Sequence, residues 1–461
     1  MPGPDRNRLP ASDLTNGDVE AALARIHARD AELARDARHV YDTLTWGDGP
    51  GQLRLSGLQE WLWYRLATKY MTDEPGYMTR LAATAAELFD ELGLEGYAAV
   101  CRSDTTAQVH AAYATSDADG IAAMRKAASA SGIDPPDLAD FVWGDVMAME
   151  ESMARSAAGD ALERAIATGD LTPGGRGWRG RQQEVTRAAL DAEHPDQPGQ
   201  TWRTAITTER IGAWVDQGER RSPRLGRVRA GVANRLLHPV RPPGDVAERL
   251  APLTWTLDLV GDEQSLTQSG YLNTDFVRRF HVEKPWDDRF PLRTPPRSEA
   301  DDMTLSRLRG LLESMGAVRK RGRTLKRTKK GGEMAVDPHR AWTAAAGAFG
   351  RDPWDRFVVQ TSALLLLDAG GRASGQTMRV EVATIAAEMG WQTSGDDGGH
   401  QTPSEYDVAW AFSDTQALLE LFGMLAVTGD WADRRLELAP SGEATMAALL
   451  RATATAPREH P

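Results

Sequence analysis

Twelve consecutive residues of this chain, Arg319 through Lys330, contain eight cations: Arg319, Lys320, Arg321, Arg323, Lys326, Arg327, Lys329 and Lys330. Arg307 and Arg309 lie shortly upstream. Ammonium and guanidinium groups at this density suit phosphate. Each contact releases condensed counterions, so affinity for a nucleic-acid backbone falls steeply with salt. The other readings are a solvated charged hairpin, or one that binds an acidic partner or the acidic surface of its own chain. The formal net charge of −12 keeps those readings open and argues against wholesale coating of nucleic acid. A second candidate is Arg176-Gly177-Trp178-Arg179, where an indole between guanidiniums can stack on a base. Such an indole more often docks against a neighbouring helix.

Enzymatic and metal chemistry are poorly represented. Glu150 and Glu151 are adjacent in a helical stretch, so their side chains diverge by about 100° and do not form an acid–base pair unaided. Cys101 is the one cysteine and has no histidine near it in sequence. A single cysteine excludes an internal disulfide and a cysteine-based zinc cluster. Asp287 and Asp288 follow Pro285-Trp286 and read as turn residues. The nine histidines form no His-x-x-x-His pair. Gly174-Gly175-Arg176-Gly177 lacks the Lys-Ser/Thr of a P-loop. The expectation is no catalytic residue, no metal, no cofactor and no enzyme.

The elements that must position the basic stretch are legible. Leu305, Leu308, Leu311, Leu312 and Met315 fall on one helical face. Gly316 stops that helix. Val318 and Leu325 sit in two short strands joined by a turn at Arg321-Gly322. Gly331-Gly332 ends the second strand, and a new helix follows. The pattern recurs. Leu418-Leu419-Glu420-Leu421-Phe422-Gly423 repeats the helix and its stop, and Leu436 to Gly442 repeats the strand and its glycine. Helices at 253–260 and 356–368 could open the two copies, with second helices at 274–280 and 380–389. The second hairpin has mixed charge (Asp430, Asp433, Arg434, Arg435, Glu437), and Glu381, Glu388, Asp396 and Asp397 add acid nearby. It reads as a packing or dimerisation module.

Residues 250 to 455 thus resemble tandem winged-helix modules of bacterial transcription regulators. In those, a third helix precedes a two-stranded wing that ends in a Leu-Thr-x-x-Gly-like turn. Leu325 to Gly331 approximates that turn, and Leu438-Ala439-Pro440-Ser441-Gly442 matches it loosely. The resemblance implies that the third helix can enter a major groove with the wing on the adjacent backbone. It implies double-stranded DNA as partner. A non-enzymatic scaffold role, with a protein partner or a homodimer, is the alternative. The whole chain resembles large actinobacterial proteins with such a tail, in keeping with its Ala, Arg, Gly and Asp bias.

The first half reads as helices of about 10–20 residues: 18–39, 58–70, 77–92, 97–113, 119–130 and, after an Asp137 cap, on through Met153 and 157–168. The fold expected is mainly α: a disordered tail (1–17), a helical domain (18–170), a helical extension and linker (171–243), and two winged-helix-like α+β modules (244–350 and 351–455). The main boundary is placed at the proline-rich Leu236 to Pro243. With 41% apolar and 26% charged residues, no long apolar run and no apolar signal core, the chain reads as cytoplasmic and free of the membrane.

Overall fold

The computed structural model describes residues 9–69, 76–286, 294–394, 399–430 and 433–458. These are mainly helical. Strands are confined to two three-stranded antiparallel sheets and one two-stranded sheet. The chain divides into two compact units. One runs through Ile206 and takes in the chain end from Pro457; the other runs from Thr207 to Ala456. The division falls inside the helix Trp202–Arg221 rather than at 236–243. The reason is packing. Val228, Val232 and Leu236 of Pro223–Leu236 share a core with Val358, Leu366 and Leu450, which holds the proline-rich stretch inside the second unit.

The first unit is helical, with differences that trace to polar caps. Leu9 and Ala11 are buried, so chain order starts before the expected end of the tail at residue 17. The helix expected over 18–39 is two, Asn16–Arg29 and Ala31–Thr45. Asp30 divides them. Its carboxylate accepts from the N–H groups of Glu32 and Leu33 and caps the second helix. Ser103 likewise divides the 97–113 stretch by capping Asp104–Tyr113. Asp137 caps no helix: it accepts from Trp143 N at 3.0 Å within a loop, and the next helix is Met149–Ala167. After the glycines at 174, 175 and 177 the helix Trp178–Leu190 begins directly.

The second unit contains one motif twice. Its first copy has helices Ala251–Val260, Thr274–Glu283 and Met303–Ser314 and strands Glu263–Ser265, Val318–Arg321 and Thr324–Arg327. Its second has helices Pro353–Asp368, Gly375–Glu388 and Glu405–Leu421 and strands Arg372–Ser374, Leu425–Thr428 and Arg435–Leu438. In each, the last strand lies between the other two. The short strand after the first helix has too little sequence pattern to be read in advance.

The two copies agree in backbone detail. Val318 pairs with Arg327, and Leu425 with Leu438. Ala317 O accepts from Thr328 N, and Met424 O from Ala439 N, both at 3.0 Å. Gly316 and Gly423 end the third helices with positive φ, 67° and 59°. Gly331 and Gly442 do not end strands; they lie in the first turns of Lys329–Val336 and Pro440–Ala454. A Cβ on either would sit 2.0 Å from a carbonyl oxygen, that of Ala317 or Met424. Glycine is needed there so that helix and hairpin can touch.

Candidate nucleic-acid interface

Leu325 faces the core from the middle strand of the first sheet, so its neighbours on that strand point outward. Arg319 stands opposite Lys326, and Arg321 opposite Thr324. The strands are joined by Gly322-Arg323. Gly322 has φ 62°, the positive value that the first position of a tight II′ hairpin requires. This turn drives the cationic side chains out from the body of the unit.

The ten expected cations divide into two sets. Four are ion-paired within the chain. Lys326 meets Glu263 at 2.7 Å, and Arg327 meets Asp262 at 2.9 Å. Arg307 Nε meets Asp414 at 2.8 Å, and Arg309 meets Glu299 at 2.7 Å and Glu313 at 3.1 Å. Arg307 and Arg309 are only 21% and 12% exposed, so the structure does not bring them to the hairpin surface. The other six, Arg319, Lys320, Arg321, Arg323, Lys329 and Lys330, are exposed. None has a carboxylate within ion-pair distance among the described residues. Lys329 and Lys330 occupy the first turn of Lys329–Val336, which holds no acidic residue. Cations are disfavoured at a helix N-terminus and anions favoured, so this end adds to the positive potential.

One residue of the polar face of the first third helix, Arg307, reaches the second copy. Arg307 and Asp414 hold the same place in their helices, 107 residues apart, and pair with each other. Arg351 also meets Asp414, at 3.1 Å. The two third helices therefore meet through equivalent positions of opposite charge. The sheets show a similar reversal: Lys326–Glu263 in the first corresponds to Glu437–Arg372, at 2.5 Å, in the second. Sequence reading missed this pairing. A constant offset with opposite charges at 307 and 414 was the signal that could have revealed it.

In the second candidate Arg176 and Arg179 are exposed and only Trp178 is partly buried. Trp178 is half-buried against the small core of Leu162 and Leu171. Arg179 lies 3.9 Å from its ring centroid and donates to Gln182 and Ser129. Arg176 is exposed. The three do not form one open stacking surface.

Other reactive groups are tied into the fold. His194 Nε2 lies 2.9 Å from Glu150, and Nδ1 accepts from Asp196 N at 3.1 Å, which places the ring proton on Nε2. Glu151 is buried and accepts from Gly144 N. Cys101 is buried, and burial pushes its thiol up to about 12, far from a thiolate. Tyr97 Oη donates to Glu163 at 2.5 Å, and Leu55 N donates to the same carboxylate at 2.9 Å. Burial raises the Glu163 pKa in spite of those bonds.

Asp287, Asp288, Asp396 and Asp397 lie outside the described residues. Among the described residues no three His, Cys, Asp or Glu side chains are grouped to hold a metal ion, and no helix is long and apolar enough to cross a membrane. No family model, curated protein or solved structure matches this chain.

Proposed function

We propose that this is a DNA-associated regulatory protein whose first hairpin, the wing of a winged-helix-like module, contacts nucleic-acid backbone. The observation that carries the reading is the set of six exposed cations with no carboxylate partner, on a chain of net charge −12. Around them, Lys326, Arg327, Arg307 and Arg309 all have carboxylates. The remaining six fit an external polyanion. The repeated order of three helices and a three-stranded sheet supports the winged-helix comparison.

The contact differs from the groove-reading mode. On Met303–Ser314, Arg307 is paired with Asp414 and Arg309 with Glu299 and Glu313, so neither cation is presented to base edges. Phosphate contact alone positions a protein without reading sequence. The proposed binding is therefore indifferent to sequence in this conformation. Lys329 and Lys330 extend the contact along one backbone.

The test is binding of the full chain to mixed-sequence duplex DNA at several salt concentrations. If four hairpin cations engage phosphates, the log–log salt slope is about −3.6, and affinity drops about 150-fold between 50 and 200 mM salt. Replacing Arg319, Lys320, Arg321 and Arg323 with Ala should flatten that slope and leave the fold intact. Absence of binding at low salt, or identical binding by the folded variant, refutes the reading. An acidic protein partner would then be sought, because the exposed charge remains to be matched.

A further inference from the structure

The two third helices use the same five positions to line a groove. On the first helix these are Ser306, Arg309, Gly310, Glu313 and Ser314. On the second they are Ser413, Gln416, Ala417, Glu420 and Leu421, each offset by 107 residues, as Arg307 is from Asp414. The grooves have diverged. The first, of about 400 Å³, is crossed by ion pairs of Arg309 with Glu299 and Glu313. The second is a cavity of about 870 Å³ with an apolar floor that includes Phe412, Leu421, Leu425 and Leu436. Met303 and Thr304 of the first copy also line it. A volume of this size falls in the range of small-molecule sites.

Two guanidiniums belong to the same cavity. Arg379, 5% exposed, comes from Gly375–Glu388, and Arg434 comes from just before the last strand. Gly375 sits between them. A Cβ there would be 3.2 Å from Arg379 Nη1 and 3.4 Å from Arg434 Cβ. Gly375 N also donates to Arg434 O at 2.7 Å, which ties the backbone of Arg434 to the start of the helix that carries Arg379. Burial lowers the Arg379 pKa, Glu405 opposes that, and the nearby Arg434 charge lowers it further. A guanidinium presents five N–H groups in a planar fork that matches a carboxylate or sulfonate.

The carboxylates on the cavity wall have their own donors. Asp301 accepts from Arg297 N and Ser298 N, at 3.0 and 2.9 Å. Asp302 caps the third helix through Leu305 N at 3.0 Å. Glu420 accepts from Gln416 at 2.7 Å. Asp302 also lies 3.8 Å from His281, and Glu405 acts on Arg379, so the cavity wall carries both signs of charge beside its apolar surface.

We infer that the cavity along Glu405–Leu421 binds a small anionic amphiphile. Its carboxylate or sulfonate head lies between Arg379 and Arg434, and its apolar body lies on Phe412, Leu421 and Leu436. The ligand touches both copies of the motif, because Met303 and Thr304 belong to the same lining. Its binding uses none of the hairpin cations and stands apart from the proposed nucleic-acid contact.

The first probe is 8-anilinonaphthalene-1-sulfonate, which combines a sulfonate head with an aromatic body. The full chain should bind it saturably at one site, with enhanced fluorescence, and decanoate should displace it. Arg434→Gln should weaken binding at least about tenfold, and Ala417→Trp, which fills the cavity, should abolish it. The hairpin variant lacking Arg319, Lys320, Arg321 and Arg323 should bind as the natural chain does. Decanoate should raise the melting temperature of the natural chain and not that of Ala417→Trp, since a ligand stabilises the state that binds it. Binding that never saturates, or that survives both Arg434→Gln and Ala417→Trp in proteins with unchanged circular dichroism, overturns the inference. So does loss of binding in the hairpin variant alone.

Discussion

Adjacent glycines at 331 and 332 should respond to alanine in opposite directions. Both lie in Lys329–Val336. At Gly332 a Cβ meets nothing within 4 Å, and alanine there should stabilise the helix by about 0.5–1 kcal/mol. At Gly331 the Cβ would lie 2.0 Å from Ala317 O. That oxygen is held by Thr328 N at 3.0 Å and Thr328 Oγ1 at 3.2 Å, so it cannot withdraw without loosening the hairpin's closure. Overpacking against fixed backbone costs about 1–3 kcal/mol, and a lost hydrogen bond adds about 1 kcal/mol. Gly331→Ala should therefore destabilise by about 3 kcal/mol. With a urea slope of about 3 kcal/mol/M, the midpoint of the second unit moves down by about 1 M. Gly442→Ala should behave the same way, because its Cβ would meet Met424 O at 2.0 Å. The assay is urea unfolding of the three variants beside the natural chain. A Gly331→Ala protein of natural stability would refute the steric reasoning. Divergence between Gly331→Ala and Gly442→Ala would refute the equivalence of the two copies.

Two further predictions concern charge. A double-mutant cycle on Arg307 and Asp414 should show a coupling of about 1 kcal/mol in urea unfolding, modest because both groups keep some solvent. Asp414→Ala should cost more than Arg307→Ala, since Asp414 also meets Arg351; a coupling near zero would deny that the third helices are held at this point. Glu163 has a folded pKa above its ordinary 4.5, with burial as the largest cause. Its contribution to stability is thus fully present below pH 4.5 and is lost as pH rises through the folded value. Between pH 4.5 and 7 the stability of Glu163→Gln should decline less steeply than that of the natural chain, and parallel pH profiles would remove Glu163 as the cause.

Particular elements show how far sequence reached. Leu305, Leu308, Leu311, Leu312 and Met315 were grouped on one face by their spacing, and all five are buried. Gly316 and Gly423 end their helices in the left-handed conformation, and both hairpins follow. These features depend on neighbours a few residues away. Caps were less legible: Asp30 and Ser103 each split a periodic stretch, because one side chain can outbid a continuing apolar pattern at a helix end. The short strands Glu263–Ser265 and Arg372–Ser374 carry almost no periodicity, and they exist because a partner strand meets them.

Sequence by itself determined which stretch is cationic, that it forms a hairpin after an apolar helix, and that the motif recurs, since periodicity and turn glycines are local properties. Tertiary structure alone decided which cations remain available. Arg307 and Arg309 look like Arg319 and Arg321 in the chain, yet Asp414 and Glu299 draw the first two into the body of the second unit. The cavity beside Arg379 and Arg434 was likewise unreadable, because its walls come from residues far apart in the chain and meet only where the two copies pack.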